Sequence, residues 1–151
     1  MKLSTKGRYG LKAMLDLAVH NDEGQVVLKS IAERQGLSES YLEQLFAALK
    51  RAKLVKSLRG SQGGYLLGDK PENITVGDIL RTLEGSLAPA DCVSENGEGH
   101  MCENSGFCVT RGVWERIRDG INNVIDNITL QELIDDYKAN SNVDNDLIGM
   151  H

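Results

Sequence analysis

The chain has 151 residues, 40% of them hydrophobic and 26% charged, which is ordinary for a globular protein of one domain, or one small domain with an appendage. No run is long and apolar enough to cross a membrane, and no h-region or cleavage site follows the early lysines, so a cytoplasmic protein with reduced thiols is expected. The formal net charge of −5 hides an asymmetry: residues 1–70 hold 12 Lys and Arg against 7 Asp and Glu, while residues 71–151 hold 5 against 15. A basic first half beside an acidic second half points the first half towards a polyanion.

In chain order, residues 4–20 read as a helix, with Leu11, Met14, Leu15 and Ala18 at spacings of three and four. NDEGQ at 21–25 is a turn. Val27 to Gln35 is a short second helix carrying Leu28, Ile31 and Ala32; Gly36 ends it, and Ser38 caps a third helix that runs to about Arg51. KLVKSLRGSQGGYLLG, residues 53–68, reads as a hairpin, because two apolar runs flank a tip rich in glycine at Gly60, Gly63 and Gly64. Thr75 to Leu83 is a fourth helix, opened by Thr75-x-x-Asp78, a weaker capping box than one with Glu or Gln.

A polar, glycine-rich loop follows. It holds all three cysteines of the chain, Cys92, Cys102 and Cys108. An odd set crowded into one loop suits a soft metal better than a disulfide framework. A long helix then covers roughly 108–127, striped by Val113, Ile117, Ile121 and Val124, with Trp114 and Ile125 alongside. Nothing near it in sequence covers that stripe, so a second copy of the chain across a two-fold axis is expected to do so. The last helix starts at the capping box Thr129-x-x-Glu132 and carries Leu130, Leu133 and Ile134. The tail after about 140 is polar and expected to fray.

Helix, helix, glycine turn, helix and glycine-tipped hairpin is the order of a winged helix-turn-helix. The expected fold class is therefore mostly α with a small β-hairpin wing, a winged helix-turn-helix followed by a long C-terminal dimerisation helix. The expected division is a DNA-binding domain at 1–84, a metal-binding loop at 85–107, the dimerisation helix and a short returning helix at 108–140, and a flexible tail at 141–151.

The third helix bears on DNA reading. Setting Ser40 at 0° and stepping 100° per residue, Gln44 lies at about 40°, Ala47 at about −20° and Arg51 at about 20°, while Leu42, Leu45, Phe46 and Leu49 gather around 190°. One face is thus apolar; the other carries small and hydrogen-bonding side chains that suit a major groove. Tyr41 and Glu43 sit on the flanks. Glu43 repels phosphates but can accept from a cytosine amino group. Arg59, beside Gly60 at the hairpin tip, is placed to enter a minor groove. Lys2, Lys6, Arg8 and Lys12, and Lys53 and Lys56 of the hairpin, are candidates for phosphate contacts.

The stretches MKLSTKGRYGLKAMLDLA, LKSIAERQGLSESYLEQLF, LVKSLRGSQGGYLLG and NITLQELI closely resemble the IscR/NsrR/CymR family of bacterial winged-helix regulators, over about residues 1–138. RQGLSxSYLEQLF and RGxxGGYLL are the most specific of these. The resemblance implies a homodimer on near-palindromic promoter DNA, with Ser40, Tyr41, Glu43, Gln44 and Arg59 at the DNA. It implies an iron–sulfur cluster on Cys92, Cys102 and Cys108, as in IscR-like members; CymR-type members, which regulate cysteine metabolism, lack the cysteine set. The expected function is a regulator that senses cluster status or redox state and controls cluster-assembly genes.

Two features depart from the IscR-like pattern. The gap from Cys92 to Cys102 is longer than is usual, and the position three residues after the last cysteine is Arg111, not the ligating histidine. The fourth ligand is therefore open. His100 is the first choice; a carboxylate (Glu95, Glu98, Glu103 or one from a partner subunit) is the second. Some nitric-oxide sensors of the family use an acid near residue 8, where this chain has Arg8. With His100 as ligand, a 2Fe–2S cluster fits better than 4Fe–4S, because mixed Cys/His ligation occurs in 2Fe–2S centres. Zinc in a Cys₃His set, a disulfide-based redox switch and a nitric-oxide sensor remain alternatives. An electron or cluster carrier is the rival of a different class. No nucleophile–base pairing, phosphate loop or small-molecule substrate motif is evident, so no enzyme is expected. Asn73-Ile-Thr75 and Asn127-Ile-Thr129 match glycosylation acceptors, which have no meaning in the cytoplasm.

Overall fold

The computed structural model describes residues 3–60, 63–94 and 109–141. Helix α1 (Thr5–His20) begins where Ser4, in extended conformation, accepts a hydrogen bond from the Lys6 amide. It is buried on more sides than the expected stripe: Ala13, Met14 and Leu17 are fully enclosed, while Leu11 and Leu15 are only partly covered. The reason is that α1 is central, touched by every later helix that closes the core. Helix α2 (Leu28–Gln35) stops at Gly36, whose φ of 67° lies in the left-handed region. Ser38 then caps α3 (Glu39–Arg51), accepting from the Tyr41 amide at 3.2 Å.

The hairpin pairs β1 (Val55–Leu58) with β2 (Gly64–Leu67) in antiparallel register, from Val55 opposite Leu67 to Leu58 opposite Gly64. The outer edge of β2 is fixed at two points. Val26 exchanges backbone hydrogen bonds with Tyr65 at 2.9 and 2.8 Å, and the Asn21 side chain accepts from the Leu67 amide. A β-carbon at Gly64 would lie 2.7 Å from the Val26 oxygen, so this crossing needs glycine. Tyr65 packs edge-on against Phe46 of α3, with ring centroids 4.9 Å apart. The wing and α3 therefore share one core.

Helix α4 (Val76–Glu84) carries a complete capping box: Thr75 Oγ1 accepts from the Asp78 amide and Asp78 accepts from the Thr75 amide, each at 3.0 Å. The shorter aspartate reaches as well as a glutamate would. Helix α5 (Val109–Asp126) has no buried residue, and Val113, Ile117 and Val124 are 47%, 40% and 58% exposed. Its cover is partial: Ile121 and Ile125 pack on Val76, Leu80 and Leu87, so the chain itself covers one flank of the stripe that the sequence left bare. Helix α6 (Leu130–Ser141) returns to the main core, where Leu130 and Ile134 are buried. Thr129 Oγ1 caps this helix, accepting from the Glu132 backbone amide at 3.2 Å. The α5–α6 corner is stitched to the segment before α4 by Val76 N–H to Ile128 O and Leu130 N–H to Ile74 O, both 2.8 Å. No described helix is long and apolar enough to cross a membrane.

Candidate nucleic-acid interface and cysteine segment

The apolar face of α3 is Leu42, Leu45, Phe46 and Leu49, all buried. The opposite face exposes Ser40, Gln44, Ala47 and Arg51, with Glu43 and Lys50 beside them. Tyr41 differs from its neighbours. It is half-buried, its ring meets Tyr9 edge-on at 6.2 Å, and its hydroxyl lies 3.3 Å from Thr5 Oγ1. It is therefore partly a packing residue that ties α3 to α1. Arg59 and Gly60 are exposed where the hairpin turns; Gly60 has φ 110° and accepts from the Gly63 amide. Lys53, exposed just after α3, is the one described residue other than glycine with positive φ, at 65°. Lys6, Arg8 and Lys56 are also exposed, whereas Lys12 is half-buried with its ammonium 5.9 Å from the Tyr9 ring centre.

Two polar clusters that sequence reasoning missed hold this face in position. Glu84, at the end of α4, accepts from the Ser4 amide, the Ser4 hydroxyl and the Gly7 amide, so it caps α1 from a distance. Burial of Glu84 pushes its carboxyl up, but the bonds from Ser4 and Gly7 and the charge of Lys6 outweigh it and hold the group below the usual glutamate range. Gly7 is the trace of this contact, since a β-carbon there would lie 2.8 Å from the Glu84 oxygen. The second cluster is Asp16 of α1, buried, held by Arg34 Nε at 3.1 and 3.0 Å, Arg34 Nη2 at 2.6 Å and Gln35 Nε2 at 2.9 Å. The bond from Asp16 holds the Arg34 guanidinium above its ordinary pKa, against the opposing effect of burial. A charged residue between Leu15 and Leu17 on a buried helix was the available signal.

Of the predicted metal ligands, Cys92 alone is described. It is half-buried in a 3-10 turn, Asp91–Val93, whose Val93 side chain is buried. Arg118 of α5 donates from Nη1 to the Val93 oxygen at 3.2 Å, so the turn is anchored to α5. His100, Cys102 and Cys108 lie outside the described residues. Arg111 is half-buried in the first turn of α5, paired with Glu115 at 3.3 Å.

The profile of the Rrf2 family, described as iron-dependent transcriptional regulator, matches residues 3–136. The chain is 47% identical over 133 residues to the transcriptional regulator CymR of Bacillus subtilis (strain 168), covering 88% of this chain and 89% of that one. It is 43% identical over 139 residues to the transcriptional regulator IscR of Pectobacterium carotovorum subsp. carotovorum (strain PC1), covering 92% and 82%. Among solved structures it is similar to T. potens IscR, with TM-score 0.72 and 53% identity over 90% of this chain and 88% of that one. It is likewise similar to CymR, the global cysteine regulator of B. subtilis, with TM-score 0.72 and 48% identity over 89% and 97%.

Proposed function

The chain belongs to the Rrf2 family of transcriptional regulators, and on that premise we propose a homodimeric DNA-binding regulator whose affinity for promoter DNA follows the state of an iron–sulfur cluster. The observation that carries the DNA reading is α3, apolar where it meets the core and lined by Ser40, Gln44, Ala47 and Arg51 on the exposed face. In this reading α3 enters the major groove. Ser40 and Gln44 hydrogen-bond to base edges, Ala47 lets the helix approach closely, and Tyr41 and Glu43 flank the contact. Arg51 meets phosphate, and Arg59 beside Gly60 reaches the minor groove. Residues 1–84 carry this contact.

The dimer reading rests on an apolar groove of about 420 Å³ lined by Leu3, Leu80, Leu87, Ile117, Ile121 and Val124, beside the exposed Val113. A monomer that leaves this face in water loses the hydrophobic contribution of covering it, and the matching face of a second copy supplies that cover.

The donor set fits a cluster: three thiolates are the soft ligands iron–sulfur centres take, and Cys92 already sits half-buried against α5. Cys92, Cys102 and Cys108 would hold it, with His100 as fourth ligand and 2Fe–2S as the nuclearity. When bound, the group would supply a redox couple. A shift of the Cys92 turn would reach α5 through the Arg118–Val93 bond, and α4 through Ile121 and Ile125. Regulation requires that the two states differ in DNA affinity; a tenfold difference corresponds to about 1.4 kcal/mol. We infer cluster-assembly genes as targets and the cytoplasm as setting. A second reading, control linked to cysteine supply, draws on the likeness to CymR; the three-cysteine loop favours the cluster.

The deciding experiment is purification without oxygen, followed by a visible spectrum, iron, sulfide and zinc analysis, and DNA binding on duplexes selected from a random pool. Matched iron and sulfide with DNA affinity that changes on cluster removal is the expected result. A colourless protein with one zinc per chain and unchanged affinity would reduce it to a zinc-stapled DNA-binding protein. Electron or cluster transfer without DNA binding would make it a carrier.

A further inference from the structure

A cavity of about 220 Å³ opens between α1, α2 and α6, away from the exposed face of α3. Leu15 and Val19 form its apolar wall, and Lys12, His20, Arg34, Gln35 and Tyr137 supply polar groups. Its charge is settled by Asp16. That carboxylate is 3% exposed and accepts from Arg34 Nε and Nη2 and from Gln35, so it presents little negative potential to the cavity. Arg34 keeps over a third of its side chain exposed, and Asp16 does not engage its Nη1. Tyr137 and, after it, Glu23 are the other acidic groups that act on Arg34. Lys12 adds a second cation and Tyr137 a hydroxyl. One ammonium and a phenol, around a guanidinium already fixed in orientation, form a preorganised receptor for an oxyanion.

Behind this wall, out of reach of water, lies an acceptor without a donor. Gln35 commits its amide nitrogen to Asp16, and its Oε1 is buried with no partner among the described residues. His20 Nδ1 donates to the Asp16 carbonyl at 2.8 Å, and in that tautomer Nε2 carries the ring's lone pair. We propose that this cavity binds a small organic carboxylate of amino-acid size that also carries a hydroxyl or ammonium donor, its carboxylate on Lys12, Arg34 and Tyr137. The cavity would hold such a molecule and little more. Arg34 and Gln35 end α2 directly before the Gly36 turn into α3, and Lys12 reaches Tyr41 of α3 through the Tyr9 ring. Drawing the Lys12 ammonium onto a ligand would therefore alter the contact that seats α3. That coupling rests on the DNA-binding reading; the binding itself does not.

The test is a titration of the full chain with L-lactate and with L-serine, followed by amide chemical shifts, with sodium chloride and inorganic phosphate as controls. The expected result is saturable shifts centred on α1, α2 and α6 with at least one of the two. Lys12→Met and Tyr137→Phe, each with unchanged circular dichroism, should weaken that binding about tenfold or more, the loss of one charge-assisted hydrogen bond. No saturable response to either compound, a response that chloride reproduces, or binding unaltered in both variants would overturn the proposal. Saturable binding of phosphate alone would overturn the carboxylate assignment.

Discussion

Asp16 and Arg34 form an unequal pair, one carboxylate 3% exposed against a guanidinium 37% exposed. Removing the arginine strands a buried charge, whereas removing the aspartate leaves a cation that can turn to water. Arg34→Ala should therefore destabilise the protein by about 3–5 kcal/mol, and more than Asp16→Asn does, as read by urea unfolding. The order of the two variants is the sharper outcome. Glu84 yields a prediction in pH. Its carboxyl is held below the ordinary range in the folded chain, so its contribution is present above the unfolded pKa and is lost as pH falls through the lower, folded one. Glu84→Gln should flatten that acid-side loss and lower stability near neutrality by about 1 kcal/mol, since an amide still reaches the end of α1 but brings no charge to it. Neither cluster was legible in the sequence, because partners 18 and 80 positions apart carry no shared periodicity. What each left behind was a lone anomaly: an acid inside an apolar helix, and a glycine where Gly7 meets a carboxylate.

The helices themselves were legible because their signals are local. Ser38, Thr75 and Thr129 cap as their spacing implies, and the apolar face of α3 follows from a period of 3.6 residues. The hairpin followed from glycines between apolar runs, but not its third partner: Val26, between the turn read at 21–25 and the second helix, pairs with Tyr65 on the outer edge of β2. For α5 periodicity identified the stripe without saying what meets it, and the answer is divided between α4 and open solvent. The division makes a clean experiment. Ile117→Glu, at a position already 40% exposed, should change the stability of the single chain by no more than about 0.5 kcal/mol. It should shift the sedimentation of the protein from dimer to monomer. A variant that stays dimeric would move the interface elsewhere.

Across the whole molecule, charge separates along the chain, with lysines and arginines gathered in the part that holds α3 and the wing. DNA affinity should fall steeply with salt. Gln44→Ala should cost about 1–3 kcal/mol on the selected duplex and relax sequence preference, whereas Lys56→Ala should weaken all duplexes alike and reduce the salt slope by about one. The three cysteines were legible as a set of soft donors crowded into one segment, but their order in a sequence does not say whether those donors converge, and Cys102 and Cys108 lie outside the described residues. One feature bears on how any signal there would travel. The two backbone bonds that join Ile74 and Val76 to Leu130 and Ile128 grip α5 at its far end, while Arg118 to Val93 is its tie nearer the start. The helix is a lever some 27 Å long, held at its C-terminal end beside α4 and tied through Arg118 to the turn that carries Cys92. Hydrogen exchange would register that mechanics directly: the amides of Val76 and Leu130 should be among the slowest in the chain, and those in the first turns of α5 should exchange much faster.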